Sequence, residues 1–347
     1  MAKKVILETG KTFGEFSLLT GYTSKKCTLQ NINLETDLGG LKLRHPFLSA
    51  AMTSVTGYEM ALALGKEGGL GVLPARLSVK EQVSIIEKIK SYEMGFVEDP
   101  ITVRETATID EVVRLVEKHG HSKVPIADRN NVFLGLFSFD RYLEANATPG
   151  EEAIKIMIEP NELPITKKSD ISLEEAKKEL SEKNYLIVLD ELGRLVKIAF
   201  RKDVENIPVA AAISTHKGWK RRVQACIDAG VDMIVVDTSD AYNEFTAKVI
   251  EDFKAMKTGL PICVGNVITY DGAKFLMEKG ADVVKVGMSS GSICTTQREK
   301  ATGRSPMTAL LESSRAQEDY VKKTGTYVPL VIDGGVSSAG DMIIALT

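Results

Sequence analysis

The stretch GMSSGSICTTQ, residues 287–297, sets a single thiol, Cys294, among glycines, serines and threonines, just past the apolar run ADVVKVGM. The thiolate is the nucleophilic form of cysteine, and backbone dipoles and hydroxyls around a sulfur on a loop favour it. Glycine-rich backbone also brings amides and carbonyls within reach of a ligand or an ion. Ser292, Thr295 and Thr296 add short hydroxyls to the same loop. Such a segment could add covalently to an electrophilic carbon. The competing reading is a small core residue, since free cysteine is commonly buried. The other thiols offer less. Cys226 falls in a helical pattern and Cys263 inside an apolar run, both core positions by pattern, while Cys27 lies in a polar N-terminal segment. No two cysteines are spaced as CxxC, which argues against a zinc site or a disulfide framework and fits a reducing cytoplasm.

Seven short apolar runs must position this loop: PFLSAAM, GLGVLPA, PVAAAIS, MIVVDTS, PICVGNV, VVKVGMSS and PLVIDGG. Helical spacing separates most of them, so the chain reads as parallel α/β. DAGVDMIVVD and EKGADVVKVG share one signature: a helix end, a glycine past the cap, an aspartate, then a buried strand. Ser305 suits a cap, Pro306 a first helical turn and Gly325 a helix stop. In such folds chemistry gathers at the C-terminal ends of the strands, where Cys294 lies. A (β/α)8 TIM barrel needs an eighth strand, and the chain stops at GDMIIALT, inside the place of the seventh helix. The reading is therefore a barrel truncated at its C-terminus, its eighth strand missing. An open doubly wound sheet is the alternative, although no dinucleotide-type glycine fingerprint follows an early strand.

The stretch from Arg76 to Ile207 is too long for one crossover, and it contains a duplicated pattern. TIDEVVRLVEKHGHSKVPIADRNNVFLGLFSFDRYL and SLEEAKKELSEKNYLIVLDELGRLVKIAFRKDV each read as capped helix, strand, turn, strand and helix start. The expected organisation is residues 1–94 as the first part of the barrel, 95–205 as the inserted pair, and 206–347 as the rest of the barrel. A net charge of −3 without a basic stripe argues against nucleic acid. No signal-peptide core is present and no apolar run approaches membrane length.

FLSAAMTSVTGYEMALALGKEGGLGVL, IVVDTS, CVGNV, GSICTTQ and VIDGGVSSAGD follow in an order that resembles the IMP dehydrogenase/GMP reductase family, over nearly the whole chain. The inserted repeat resembles a tandem pair of cystathionine-β-synthase-type (CBS) modules, and REKATGRSP looks like a less common branch of the dehydrogenases. The resemblance implies NAD-dependent oxidation of IMP to XMP. Cys294 would attack carbon 2 of the purine, giving a covalent thioimidate that water hydrolyses, with Thr296 beside it in the catalytic loop. Ser292, Asp333, Gly334, Gly335 and Met52 would hold the nucleotide. Asp237, Thr238, Ser239, Asn266, Gly287, Met288 and Ser289 would hold NAD. Carbonyls of Ser289, Gly291 and Cys294 match a potassium site. By pattern alone, Gly334 and Gly335 could be only a tight turn, Asp237 a helix cap and Met52 core packing. The resemblance also implies a homotetramer and a purine nucleotide at the second CBS copy, near Arg201, Lys202 and Asp203.

Four positions depart from the family pattern. Ser289 stands where glycine is usual, DAYNEF follows Ser239 in place of a glycine-containing turn, and SFDRYL displaces the usual aspartate of the first CBS copy. The fourth is the mobile flap carrying the water-activating arginine, which the family places beyond Thr347. GMP reductase, running with NADPH and generally without the insertion, is the alternative within the family. A non-catalytic nucleotide-binding regulatory protein is the alternative outside it.

Overall fold

The computed structural model describes residues 9–25, 27, 31–92, 96–98, 100–119, 123–145, 147–180, 183–200, 206–288, 299 and 301–347. The chain divides into two compact units, one built chiefly from Asn31–Ser91 and Ile207–Thr347, the other from Tyr92–Asn206.

The first unit is a parallel sheet of six strands: β1 (Gly71–Leu73), β2 (Val209–Ile213), β3 (Met233–Asp237), β4 (Ile262–Val267), β5 (Val283–Val286) and β6 (Leu330–Ile332). Every neighbour in the sheet is the next strand in this series, and all pairs are parallel. A doubly wound sheet reverses its strand order at a switch point; this one never reverses, so it is singly wound, as in a TIM-type barrel. The helices are α1 (Tyr58–Glu67), α2 (Val79–Lys90), α3 (Trp219–Asp228), α4 (Glu244–Ala255), α5 (Tyr270–Glu278), α6 (Pro306–Thr324) and α7 (Ala339–Leu346).

Alternation along the strands separates two faces. Val72, Ala210, Ala212, Met233, Val235, Cys263 and Val283 form one core cluster, joined by Leu38 and Leu43 of the hairpin Thr36–Leu38/Leu41–Leu43. Val209, Ala211, Ile213, Ile234, Val236, Ile262, Val264, Val284 and Val286 are buried between them in the sequence. Burial on both faces is why the strands read as continuous apolar runs. Gly71 lets β1 approach α1: a Cβ there would fall 2.4 Å from the Ala61 Cα.

The shared signature has a structural cause. Gly230 and Gly280 take left-handed conformations (φ 90° and 96°) just past α3 and α5. The aspartates that follow then reach back to the preceding strand. Asp232 Oδ2 accepts from the Val209 N–H at 2.7 Å and from Lys90 Nζ at 2.6 Å. Asp282 Oδ2 accepts from the Ile262 N–H at 2.8 Å and from Lys254 Nζ at 2.6 Å. Lys90 Nζ also donates to the Ile207 carbonyl at 2.9 Å. The expected stops and starts hold for Gly325 (φ 74°) and Pro306, but Ser305 makes no side-chain capping bond. Its hydroxyl occupies the space beside Gly10 instead.

One expected strand shrinks. PFLSAAM is no ladder strand: it makes a single parallel bridge, Leu48 to Leu70, with the Leu70 N–H donating to Phe47 O and the Ser49 N–H to Leu70 O. Beyond it the chain folds on itself, the Val55 and Thr56 N–H groups both donating to the Met52 carbonyl. Those local bonds take the place of the ladder.

The second unit repeats one motif. Each half has a capped helix, Ile109–His119 or Leu173–Glu179, then antiparallel strands: Lys123–Ala127 with Phe133–Ser138, or Tyr185–Leu189 with Leu195–Phe200. A short strand not anticipated from the sequence, Val103–Arg104 or Ile165–Thr166, pairs parallel to the first strand of each. The turns match atom for atom. Asp128 Oδ1 accepts from the Asn130 and Val132 N–H groups, and Asp190 Oδ1 from those of Leu192 and Arg194. Asn131 and Gly193 fill the same left-handed position (φ 63° and 76°).

Among the described residues no helix is long and apolar enough to cross a membrane.

Candidate active site at the strand ends

The inward positions change character toward the strand ends. Below lie Val235, Cys263 and Val283; one inward step further along the sheet come Asp237, Gly265 and Lys285. Lys285 stands on β5 in the middle of an otherwise apolar strand, its side chain 12% exposed. Its Nζ lies 2.5 Å from Asp237 Oδ1 at the end of β3, and 2.9 Å from Asp333 Oδ2, one residue past β6. Asn266 on β4 completes the group: its Nδ2 donates to Asp333 Oδ2 at 2.8 Å and to the Gly287 carbonyl at 2.7 Å.

The electrostatics follow from this geometry. Burial alone would push the Lys285 ammonium toward neutrality, but Asp333 and Asp237 outweigh it and hold the group above its usual range. Burial also works against the charged form of Asp333. The ammonium of Lys285 and the amide of Asn266 outweigh it, and the carboxyl sits below its usual range. Beneath them, burial pushes the Cys263 thiol up to about 12. Cys226 is pushed up to about 11 by burial, and its thiol donates to Gln82 Oε1 at 3.5 Å. Both thiols are protonated core residues, as their sequence pattern indicates.

Of the residues expected at a site, the structure brings together Asp237, Asn266, Gly287 and Asp333. Asp237 is not a helix cap: the helix after it starts at Glu244 and is capped by Asn243, whose Oδ1 accepts from the Thr246 N–H at 2.9 Å. Gly334 and Gly335 are both left-handed (φ 86° and 81°), backbone that a side chain would strain. Met52 is 38% exposed at its local turn, not packed in the core. Met288 is buried and its carbonyl accepts from the Arg304 N–H at 3.3 Å, while Ser239 is exposed. Cys294, Thr296, Ser292, Ser289 and Gly291 lie outside the described residues, as do Arg201, Lys202 and Asp203.

Lys285 is the residue that reading by pattern passes over. VVKV looks like one apolar run, yet a lysine there cannot reach solvent without crossing the strand ends, and that is the signal it carries.

Thr238 Oγ1 and Asn266 Oδ1 are buried and have no hydrogen-bond partner among the described residues. Both flank Asp237: the Thr238 N–H donates to the Gly265 carbonyl and the Asn266 N–H to the Thr238 carbonyl, each at 2.9 Å. Buried polar atoms without partners are costly, and two of them beside a carboxylate fit a polar ligand carrying hydroxyl and amide groups.

A profile for the IMP dehydrogenase / GMP reductase domain matches residues 10–347. The chain is 30% identical to the inosine-5'-monophosphate dehydrogenase of Tritrichomonas foetus, over 96% of this chain and 72% of that protein. It is 31% identical to the one of Methanocaldococcus jannaschii, over 100% of this chain and 71% of that protein. Among solved structures, a GMP reductase variant from Trypanosoma brucei superposes with a TM-score of 0.63 at 23% identity, covering 98% of this chain and 79% of that one. The singly wound sheet, the carboxylates at its strand ends and a match running almost end to end agree, and the chain belongs to the IMP dehydrogenase/GMP reductase family.

Proposed function

We propose that the protein is an NAD-dependent IMP dehydrogenase, oxidising IMP to XMP with uptake of water. The observation that carries this reading is the cluster of Asp237, Lys285, Asn266 and Asp333 at the strand ends, in a chain 30–31% identical to proteins named inosine-5'-monophosphate dehydrogenase. Asp333 supplies a charged acceptor for ribose hydroxyls, and the left-handed Gly334 and Gly335 leave backbone open to a phosphate. Asp237, Thr238 and Asn266 would hold the dinucleotide, using the two buried oxygens that have no partner among the described residues. When bound, NAD+ accepts the hydride released from purine carbon 2. Cys294 is the proposed nucleophile: its thiolate bonds carbon 2, and water later displaces the sulfur, so the thiol is regenerated and one proton is released. A potassium ion on carbonyls of Ser289, Gly291 and Cys294 would steady that loop.

The same reading makes Tyr92–Asn206 a CBS pair that takes a purine nucleotide, supported by the two halves with matching turns. A cytoplasmic homotetramer is the proposed assembly, on family membership.

The test is turnover by the purified full-length protein with IMP and NAD+, against GMP and NADPH. NADH production with the first pair is expected. Consumption of NADPH with the second pair alone would make the protein a GMP reductase, and activity with neither would make it a binding protein.

A further inference from the structure

Asp237 ends β3 and Asp333 directly follows β6, and these strands are not neighbours: β4 and β5 lie between them. One side chain spans the distance. Lys285 Nζ is 2.5 Å from the first carboxylate and 2.9 Å from the second, and Lys285 is 12% exposed against 32% and 33% for its partners. It is thus the innermost of the three, with the acids toward solvent. It is also built in from the other side. A Cβ on Gly265 would fall 2.5 Å from the Lys285 Cβ and 2.5 Å from its carbonyl oxygen, so the glycine on β4 leaves the room that Lys285 occupies.

We infer that Lys285 is a positioning residue that fixes the dinucleotide-side carboxylate and the nucleotide-side carboxylate against each other through one ammonium, so that both substrates are seated by a single buried cation. This rests on the functional reading above. Two carboxylates and one ammonium leave the group with one net negative charge. Without the ammonium, two half-buried anions would face each other without the charge that joins them, and one would take up a proton or swing out. Either change removes a charged acceptor from a ribose or from the dinucleotide.

The experiment is steady-state kinetics of the full-length protein carrying Lys285→Met or Lys285→Arg, with IMP and NAD+ varied independently. IMP binding to the dinucleotide-free protein is measured by calorimetry alongside. Lys285→Met is expected to raise KM for both substrates about ten-fold or more, the size of one lost charge-assisted hydrogen bond, and to weaken IMP binding equally. Lys285→Arg, which keeps a charge able to fork between two carboxylates, restores both. Gly265→Ala, crowding the lysine from β4, should reproduce the double KM effect. Should Lys285→Met lose its native circular dichroism spectrum, Lys285→Gln is read in its place, since it keeps donors without charge. A shift confined to one substrate, or a fall in kcat with both KM values unchanged, overturns the inference while leaving the functional reading intact. A wild-type protein without turnover on IMP and NAD+ overturns the reading and the inference together.

Discussion

Asp232 and Asp282 play one part twice: each opens a strand, and each binds the first N–H of the strand before it together with a lysine from the helix leading into that strand. The pairing locks the N-terminal end of the sheet, opposite the end where the charged cluster lies.

Asp232→Ala should destabilise the protein by about 2–3 kcal/mol, because the Val209 N–H and a half-buried Lys90 both lose a charged partner. Chemical denaturation reads the change. The first-unit transition should move while the kinetic constants of the remaining folded enzyme stay put. A midpoint equal to the wild type's would show that the bond adds nothing.

Thiol labelling should sort the cysteines by environment. With Cys226 pushed up to about 11 and Cys263 to about 12, neither has appreciable thiolate near neutral pH. Iodoacetamide on the native protein should modify exposed Cys27 and the proposed nucleophile Cys294, with IMP protecting the latter. Peptide mapping that found the label first on Cys263 would mean that the strand layer opens to solvent.

The pH dependence of stability should carry the mark of the charged cluster. Asp333 is held below its usual range, so its stabilising contribution is complete above the unfolded carboxylate value of about 3.9 and is lost as pH falls through its lower folded value. Lys285 is held above its usual range, so its contribution is complete below about 10.4 and is lost as pH rises through its folded value. The difference in melting temperature between wild type and Asp333→Asn should therefore hold steady from about pH 5 to about pH 9 and shrink in strong acid. A difference that changed across the neutral range would point to some other titrating group.

Gly71→Ala should cost about 1–3 kcal/mol or more, since the added methyl meets the backbone of α1 rather than a movable side chain. Thermal melting of that variant beside Gly259→Ala separates crowding from backbone strain. Gly259 is left-handed but has open space around it, so its loss comes from conformation alone. Equal and small shifts for both would mean that β1 and α1 can move apart.

Much of this was written in local sequence. The glycine–aspartate signature located the strand entries, because a left-handed glycine and a short acid can act only at such a junction. The duplicated turns were legible for the same reason. Asp237, Asn266 and Asp333 stood out through motif order. Lys285 did not, since its partners lie 48 residues away in the sequence on either side, and no periodicity reports a contact of that range. PFLSAAM carried a strand's composition, but its backbone groups found closer partners. The hairpin at Thr36–Leu43 has apolar residues too few to announce itself, and its packing under the sheet decides its form.

Lys90 closes α2 at the point where the chain departs into the second unit, and its ammonium also holds the carbonyl of Ile207, where the chain returns. Both ends of a long excursion thus meet at one side chain. Such a junction works like a socket: the added chain closes a loop whose ends are already together, and closure entropy rises only slowly with its length. A short turn grafted between Ser91 and Ile207 would leave the sheet's register unchanged.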